Sequence, residues 1–455
     1  MISRRKFIVQ GGAGLVAARF SPAQAADQSP ISSQARSDAR RFAPDKIARI
    51  KVVRRDETLI RHGGNGDNWH MSWAADDRQY VSQCDGYGWS ERPRGMYNSR
   101  LLAISGGPRT TTFQEVSSYP DCMPGFDVPR YYGFGTLALD GSLYQFLSTW
   151  NRPITFPIDF GSLKPKELRF VGAKLIYSPD NGRTWRNQDG SSPVVWESWD
   201  RRSRKSMVFF EEDQEAFSQT SILQMGRNYE HNRDGYVYIY GTNGNTEGTM
   251  NQLVMLRVPK AQIRNRGAYE YFAGWRGAEA KWAYDITARS VVHTFPHGWV
   301  NTLVHPFAWQ PSVVFNAPLG LYLMTSWGTA VDPTGLWFAK PNYLGFWAAA
   351  RPWGPWTQIH EETTWMPGGD ANARAFAPQI APKWIAPDGK SFWLVWSDFQ
   401  ARGQEEFDRS FTQELKEKYH RMQLSEDEWV RVADMMRRNR PFYAFNTQRV
   451  DLVLS

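Results

Sequence analysis

The sequence is poor in cysteine and has no long apolar run. Only Cys84 and Cys122 occur among its 455 residues, which excludes a small fold held together by several disulfides. The two cysteines can form one disulfide in an oxidising compartment or remain free thiols, and the sequence leaves both alternatives open because it gives no Cα separation. No apolar run reaches the roughly 20 residues of a membrane-spanning helix, so we expect no membrane span.

A contiguous basic stripe and a regular metal-ligand spacing are also missing. The formal net charge is +8, but part of the excess lies near the N-terminus, so we do not expect nucleic acid as a partner. The histidines His293, His297 and His305 fit no helical ligand pair. We therefore predict no metal and no other cofactor.

The N-terminus has the features of an export signal. Ser3-Arg4-Arg5-Lys6-Phe7-Ile8 is a twin-arginine sequence, a weakly apolar run follows from Ile8 to Ala18, and Ala23-Gln24-Ala25 has small residues at a cleavage spacing. We predict a twin-arginine signal peptide at residues 1–25 and a linker at residues 26–46. The mature protein is then periplasmic or secreted, with the twin-arginine export machinery as a partner. A disordered basic tail is the alternative.

Aromatic residues, in contrast, are abundant: they make up 15% of the chain and include 21 Trp. Together with Gly and Pro scattered between short apolar runs, this composition favours strands. A lone strand is predicted within residues 47–60. Five later segments predict hairpins of two alternating strands, at residues 66–86, 131–150, 218–241, 309–327 and 376–398. We predict an all-β fold, a five-bladed β-propeller over residues 47–455, with a two-sheet sandwich as the competing fold.

The first hairpin brings two carboxylates to one end of a blade. Its polar turn is Ala75-Asp76-Asp77-Arg78, and folding about that turn places Asn68 opposite Asp85. Asp67 and Asp85 are then neighbours at the open end of the hairpin. Two carboxylates brought together in this way are a reasonable start for acid–base chemistry.

One segment has a helical pattern instead. Apolar residues recur four apart between Gln404 and Met422, at Phe407, Phe411, Leu415 and Tyr419. Ser425 and Glu428 then have the spacing of a capping box. We predict a helical insertion in the last blade, over about residues 402–440, whose apolar stripe packs on the propeller.

Ser178-Pro179-Asp180-Asn181-Gly182-Arg183-Thr184-Trp185 matches the Asp-box pattern of sialidases and other propellers. In this pattern the Asp side chain satisfies turn amides, Gly supplies an unusual backbone conformation, and Trp packs beneath the turn. We interpret it as a marker of the fold on an outer hairpin, without a catalytic role.

Applying the geometry of the first hairpin to all five gives one rim rich in polar and aromatic residues. Its candidate catalytic residues are Asp67, Asp85 and Glu215. The candidate substrate-binding residues at or near the rim are Trp69, Arg130, Trp150, Asn243, His305, Trp327, Arg374 and Asp398. Hydrolysis of a sugar polymer needs such a mixture, with two carboxylates at the scissile bond and other groups for hydroxyls and ring faces.

Several short motifs resemble a bacterial family of five-bladed propellers related to endo-D-arabinanases, long catalogued as a domain of unknown function. The motifs are Gly66-Asp67-Asn68-Trp69, Gln83-Cys84-Asp85-Gly86, Tyr236-Val237-Tyr238-Ile239-Tyr240-Gly241, Gly354-Pro355-Trp356-Thr357, Ala377-Pro378-Gln379-Ile380-Ala381-Pro382-Lys383-Trp384 and Leu394-Val395-Trp396-Ser397-Asp398. They span most of the predicted mature chain. The resemblance implies a five-bladed propeller and, as in characterised members, cleavage of furanose polymers.

These observations together predict an exported, monomeric glycoside hydrolase acting on a furanose-containing, arabinan-like polysaccharide or oligosaccharide. In this hypothesis Asp67 is the base or nucleophile, Glu215 is the proton donor, and Asp85 orients or tunes its neighbour. Two alternatives remain: a propeller that binds a glycan without cleaving it, and a sialidase-like glycosidase. The latter requires a sixth repeat that the sequence does not show.

Overall fold

The structure is a computed structural model that describes residues 44–122, 129–152, 169–244, 249–277, 279–296, 310–329, 341–400, 409–421 and 423–454. The predicted signal peptide, most of the predicted linker, His297 and the candidate residue His305 lie outside these ranges. Among the described residues no helix is both long enough and apolar enough to cross a membrane.

Short strands dominate the described chain. In order they are β1 (Lys51–Arg61), β2 (Asp67–Trp73), β3 (Gln79–Cys84), β4 (Arg100–Ser105), β5 (Thr112–Glu115), β6 (Tyr131–Leu139), β7 (Ser142–Trp150), β8 (Phe170–Ser178), β9 (Arg186–Asn187), β10 (Phe209–Phe210), β11 (Thr220–Ile222), β12 (Tyr236–Thr242), β13 (Gln252–Pro259), β14 (Glu270–Arg276), β15 (Glu279–Ala283), β16 (Val291–Thr294), β17 (Ser312–Asn316), β18 (Leu321–Gly328), β19 (Tyr343–Ala349), β20 (Thr357–Glu362), β21 (Ala375–Ile380), β22 (Ser391–Asp398) and β23 (Asn446–Val453). The helices are α1 (Pro44–Ile47), α2 (Gln413–His420) and α3 (Glu426–Asn439).

The strands form five antiparallel sheets, and the predicted five-bladed β-propeller is confirmed. The first blade has the order β2-β3-β4-β5, and the second has β6-β7-β8 with β9 and β10 both paired to β8. The third runs β11-β12-β13-β14-β15 with β16 beside β13, the fourth runs β17-β18-β19-β20, and the fifth has β21-β22-β23-β1. Each predicted hairpin thus supplies the two inner strands of one blade.

The inner strands β2, β6, β11, β17 and β21 contact one another in a closed ring and line one narrow central space. Side chains join neighbouring blades there. Thr136 Oγ1 donates to the His70 carbonyl at 3.0 Å, and Gln224 Nε2 donates to the Thr136 carbonyl at 3.0 Å. These bonds satisfy backbone oxygens that face the axis, which fixes the inner ends of the blades relative to one another.

The hairpins differ in how closely their predicted register matches the structure. β6 and β7 have the predicted bounds, because Asp140 and Gly141, both at positive φ, form the two-residue turn that sets the pairing. In the first hairpin the register between Asp67 and His70 is shifted by an irregularity, and Asp67 pairs with Cys84. The predicted register, with Asn68 opposite Asp85, is therefore wrong by one position from His70 to Trp73 and by two positions at Asp67, although Asp67 and Asp85 still lie at the same end.

The strand predicted to stand alone within residues 47–60 is not alone. It is β1, which pairs with the C-terminal strand β23 from Lys51↔Val453 to Arg61↔Asn446. The Arg54 guanidinium also binds Glu362 of β20, with Nε 2.7 Å from Oε1. The last blade is therefore built from both ends of the described chain, which closes the ring.

The predicted helical insertion lies between β22 and β23 of the last blade. Thr412 caps α2, and α3 begins with the predicted capping box, in which Ser425 and Glu428 bond to each other's backbone amides. The two helices share an apolar cluster with the loop that follows β3 in the first blade, where Tyr87 donates to the Ala433 carbonyl at 3.2 Å. The insertion is thus fixed against the segment that carries Asp85.

Candidate active site

Asp67 is the first residue of β2, and its side chain is buried, with 6% of its surface exposed. Asn68 Nδ2 lies 3.0 Å from one carboxyl oxygen, Oδ1. The hydroxyl of Tyr443 lies 3.1 Å from the other, Oδ2. Both oxygens of this carboxyl group are therefore held by polar neighbours in a place with little access to water.

Asp85 follows the last residue of β3 and is half-buried. It has a positive φ of 44°, a conformation that Asp adopts more readily than most residues. The next residue, Gly86, passes so close to the backbone of Asn65 that a Cβ atom there would lie 2.0 Å from the Asn65 carbonyl oxygen. This close passage places Asp85 beside the start of β2. Asn98 Nδ2 donates to Asp85 Oδ1.

The two carboxyl groups have different electrostatic surroundings. Burial raises the pKa of Asp67 well above its usual value, and the negative charge of Asp85 raises it further. Burial also raises the pKa of Asp85, but the positive charge of Arg130 and the Asn98 amide both act in the opposite direction. Of the two carboxyl groups, Asp67 therefore has the surroundings that favour the neutral form more strongly.

Tyr443 is the residue of the site that the sequence analysis missed. Its hydroxyl contacts Asp67 Oδ2 and lies 2.9 Å from the backbone carbonyl of Asp85. It lies between α3 and β23, about 360 residues further along the chain than Asp85. No strand alternation or motif points to it, because its position depends on ring closure and on the path of the insertion.

The insertion approaches the pair from a second direction as well. Burial raises the pKa of the Tyr419 phenol in α2, and among its smaller influences are the charges of Asp85 and Arg130. Tyr419 was predicted only as part of an apolar stripe. Its packing role holds, since its ring lies 5.9 Å from that of Trp429 and its hydroxyl contacts Met96 Sδ.

The second blade contributes the predicted residues Arg130 and Trp150 next to this pair. The Arg130 guanidinium lies 5.6 Å from the centre of the Trp150 ring, and Nη1 donates to the Tyr132 hydroxyl at 3.4 Å. Arg130 directly precedes β6, so it lies at the same end of its blade as Asp67, the first residue of β2. The first two blades thus combine two carboxylates and one guanidinium at one rim.

Glu215 and Asn243 of the third blade belong to other polar networks. Arg169 Nε contacts Glu215 Oε1 in an ion pair. Asn243 Nδ2 donates to Gln252 Oε1 at 2.7 Å, and its Oδ1 accepts from Arg289 Nε at 2.7 Å. The Glu215 carboxylate is thus engaged by an arginine on the chain that leads into β8, and its predicted role as proton donor stays a prediction.

Asp398 and Arg374 of the fifth blade stabilise a loop connection. Asp398 is fully buried, and its Oδ1 accepts from the backbone amides of Arg374 at 2.7 Å and Gln400 at 2.8 Å. The Arg374 guanidinium donates to the carbonyls of Ala371 and Ala373. These contacts hold the chain where β21 begins and β22 ends.

The tryptophans predicted to stack on sugar rings are buried. Trp69 has no exposed surface, and its Nε1 donates to Ser397 Oγ at 2.8 Å. Trp150 and Trp327 each expose 6% of their surface. The large apolar area of Trp69 is thus used in the core of this structure, and its predicted contact with substrate stays a prediction.

Cys84 and Cys122 are both free and buried. Ser99 forms a bridge with Cys122 on one side, and the register of β3 with β4 places Cys84 on its other side. A separation of two strands is roughly 10 Å between Cα atoms, beyond the reach of a disulfide. Burial raises the pKa of the Cys122 thiol to about 12, so this thiol is protonated and inert.

Within the described residues no group of three or more His, Cys, Asp and Glu side chains is arranged to hold a metal ion. The Asp180 carboxylate of the Asp-box segment accepts from the amides of Arg183 and Thr184, on the turn between the outer strands β8 and β9. The next residue, Asn181, donates to Asp76 Oδ2 at 2.8 Å, so this segment contacts the turn of the first hairpin, at the end opposite Asp67 and Asp85.

The fold and the site define this protein as a five-bladed β-propeller with a desolvated aspartate pair at one rim, adjoined by an arginine and a tyrosine. No family model and none of the curated proteins matches the chain.

Solved structures similar to this chain include an α-L-arabinofuranosidase from Lactobacillus brevis, with 11% identity, coverage of 76% of this chain and 88% of the other, and a TM-score of 0.38. An endo-arabinase from Bacteroides thetaiotaomicron has 11% identity, coverage of 73% and 89%, and a TM-score of 0.35. A protein of unknown function from Dyadobacter fermentans has 10% identity, coverage of 88% and 99%, and a TM-score of 0.39. Similarity at these scores carries no argument about function.

Proposed function

We propose that this protein is a glycoside hydrolase in which Asp67 and Asp85 form the acid–base pair. The observation that carries the proposal is the unequal environment of two neighbouring carboxyl groups at the rim of a propeller, of which Asp67 is buried without a cation among the causes of its pKa shift and Asp85 lies near the Arg130 charge. Hydrolysis of a glycosidic bond needs one carboxylic acid and one carboxylate. When two neighbouring carboxyl groups have different pKa values, the group with the higher pKa acts as the acid and the other acts as the carboxylate.

In this proposal Asp67 supplies the proton and Asp85 supplies the carboxylate. The acid protonates the oxygen of the departing sugar while the carboxylate takes a proton from water, whose hydroxyl adds to the anomeric carbon. Arg130 adjoins Asp85 and stabilises its negative charge. This assignment differs from the roles suggested by the sequence, where Asp67 is the base or nucleophile, Glu215 is the proton donor and Asp85 orients or tunes its neighbour.

The substrate class is proposed from the sequence motifs that resemble arabinan-cleaving propellers. We propose a furanose-containing polysaccharide that reaches the protein outside the cytoplasm. The guanidinium of Arg130 and the amide of Asn68 are partly exposed polar groups suited to sugar hydroxyls at the same rim.

The test is hydrolysis of a panel of arabinans and other furanose polymers by the purified protein. We expect the wild type to release reducing ends, and Asp67→Asn and Asp85→Asn each to reduce kcat/KM by roughly 100- to 10,000-fold, as expected for loss of a general acid or base. Asp140→Asn is the matched control, because it changes an exposed turn carboxylate and Asn tolerates the positive φ found there.

Full activity in either pair variant would remove that residue from the mechanism. Glycan binding without product release by the wild type would instead support the non-catalytic alternative. If the wild type does release product, the anomeric configuration of the first product, observed by NMR, would distinguish a retaining from an inverting mechanism.

A further inference from the structure

We propose that Tyr443 is a positioning residue that supports Asp67 in both of its protonation states, accepting a hydrogen bond from the neutral acid and donating one to the carboxylate. The hydroxyl of Tyr443 lies 3.1 Å from Asp67 Oδ2 and 2.9 Å from the carbonyl oxygen of Asp85. It has a single proton and two oxygen neighbours, so the direction of these hydrogen bonds must depend on where the proton of Asp67 is.

The Asp85 carbonyl can only accept. When Tyr443 donates to it, the contact with Asp67 Oδ2 is a hydrogen bond only if Asp67 carries the proton on that oxygen. The chain of donors then runs from Asp67 through Tyr443 to the Asp85 backbone. When Asp67 is ionised, rotation of the hydroxyl turns its proton toward Oδ2, where the bond is charge-assisted and stronger.

The hydroxyl can do this because the rest of Tyr443 is held in place. Its carbonyl accepts from the Gly66 amide at 3.3 Å, directly before Asp67, and its ring stacks on Phe399 with centroids 5.0 Å apart. Two residues later, the Phe445 amide donates to the Gly63 carbonyl at 3.1 Å. The ring position is thus tied to the strand that carries Asp67, and only the hydroxyl proton is free to rotate.

The charged and titratable groups around Asp67 come from several elements. Asp85 and the buried thiol of Cys84 face it from the end of β3, and Tyr443 from the segment before β23. Arg130 acts on Asp85, and Arg440, at the end of α3, lowers the pKa of Tyr443 against the larger raising effect of burial. The hydrogen bonds from Tyr443 and Asn68 lower the pKa of Asp67, so they stabilise its ionised form.

This inference rests on the proposed function only for its catalytic consequence. A group that gives a proton to a departing sugar becomes a carboxylate during the reaction and must recover its proton afterwards. Tyr443 stabilises the carboxylate without preventing reprotonation. Its loss should therefore reduce kcat/KM by roughly 10- to 100-fold, the equivalent of one hydrogen bond to a charged group.

The direct test needs no substrate. Infrared spectra recorded against pH show the carbonyl stretch of protonated carboxyl groups, and the band that disappears in Asp67→Asn belongs to Asp67. We expect this band to persist to higher pH in Tyr443→Phe than in the wild type, because the ionised form has lost a donor. Tyr240→Phe is the control, since that buried hydroxyl donates to the Pro352 carbonyl, far along the chain from the pair.

The proposal would be overturned if the pH midpoint of the Asp67 carbonyl band were the same in Tyr443→Phe as in the wild type. It would also be overturned if Tyr240→Phe changed that midpoint equally. If Tyr443→Phe does not fold, the wild type provides a second measurement with ring-labelled tyrosine. The phenol C–O stretch differs between a hydroxyl that only donates and one that also accepts, so one tyrosine band should change as Asp67 titrates and remain constant in Asp67→Asn. A band that does not respond would count against the proposal even if the protein cleaves no glycan.

Discussion

Asp67 and Asp85 belong to the same hairpin opening, yet the side chain of Asp67 is buried and that of Asp85 is only partly buried. At the scale of single residues, the difference arises from backbone position. Asp67 begins a strand that lines the centre of the molecule, whereas Asp85 lies one residue beyond the end of β3, at a positive φ and next to the Arg130 charge. Identical side chains thus acquire different proton affinities.

The burial of Asp67 has a consequence for stability that does not depend on any substrate. The pKa of Asp67 is raised in the folded state above its unfolded value of about 4. The folded state therefore binds more protons between these two values, so stability is greatest below the unfolded pKa and falls as the pH rises toward the folded pKa. An asparagine at position 67 cannot ionise, so the Asp67→Asn variant does not lose stability in this way as the pH rises.

We therefore predict that Asp67→Asn melts a few degrees above the wild type at neutral pH, and that the difference narrows as the pH falls toward 4. Thermal unfolding followed by circular dichroism over this pH range is the measurement, with Asp140→Asn as the control. A variant that is less stable than the wild type at neutral pH would show that Asp67 is held mainly as a structural carboxylate.

At the scale of elements, the sequence predicts what local chemistry determines. The β6–β7 hairpin has the expected bounds because the Asp140-Gly141 turn sets its register, and α3 begins where its capping box lies. β1 was predicted without a partner, because its partner β23 is about 390 residues away and no local pattern encodes that pairing. Tyr443 was missed for the same reason, whereas Asp67 and Asp85 were found because a single hairpin joins them.

The pairing of β1 with β23 gives a prediction about truncation. Without β1, the backbone of β23 becomes an exposed edge that can pair with other chains. Arg54 and Arg55 would also no longer bind Glu362 and Asp451. We predict that deletion of residues 1–61 gives an aggregating protein, while deletion of residues 1–43 leaves soluble yield and melting temperature close to those of the full chain.

Size-exclusion chromatography and thermal unfolding of the two truncated proteins would check this prediction. Equal solubility and melting temperature would mean that β23 tolerates an open edge, and that ring closure depends on the inner strands alone. The helical insertion adds a further contact between blades, since α3 binds the loop of the first blade through Tyr87 and Ala433. Both truncated proteins keep the helical insertion, so the comparison between them reports on β1.

At the scale of the whole molecule, closure of the propeller bears on export. The last blade needs both β1 and β23, so it can form only after nearly all of the described chain has been synthesised. Pairings between such distant segments fold slowly. An export route that carries folded proteins would keep the unpaired strand edges of an incomplete propeller from being exposed outside the cell. Cys84 and Cys122 are buried and free, so folding does not require an oxidising compartment.

We therefore propose that the twin-arginine segment directs a folded protein out of the cytoplasm, and we predict that replacing Arg4 and Arg5 together by Lys retains it there. Fractionation of cells that express the wild type and the variant, followed by immunoblotting, is the measurement. The retained protein should be resistant to protease and should have the same melting temperature as the exported one, because folding precedes transport. A variant that is exported normally, or retained only as a degraded chain, would contradict this route and favour the alternative that residues 1–25 are a basic tail.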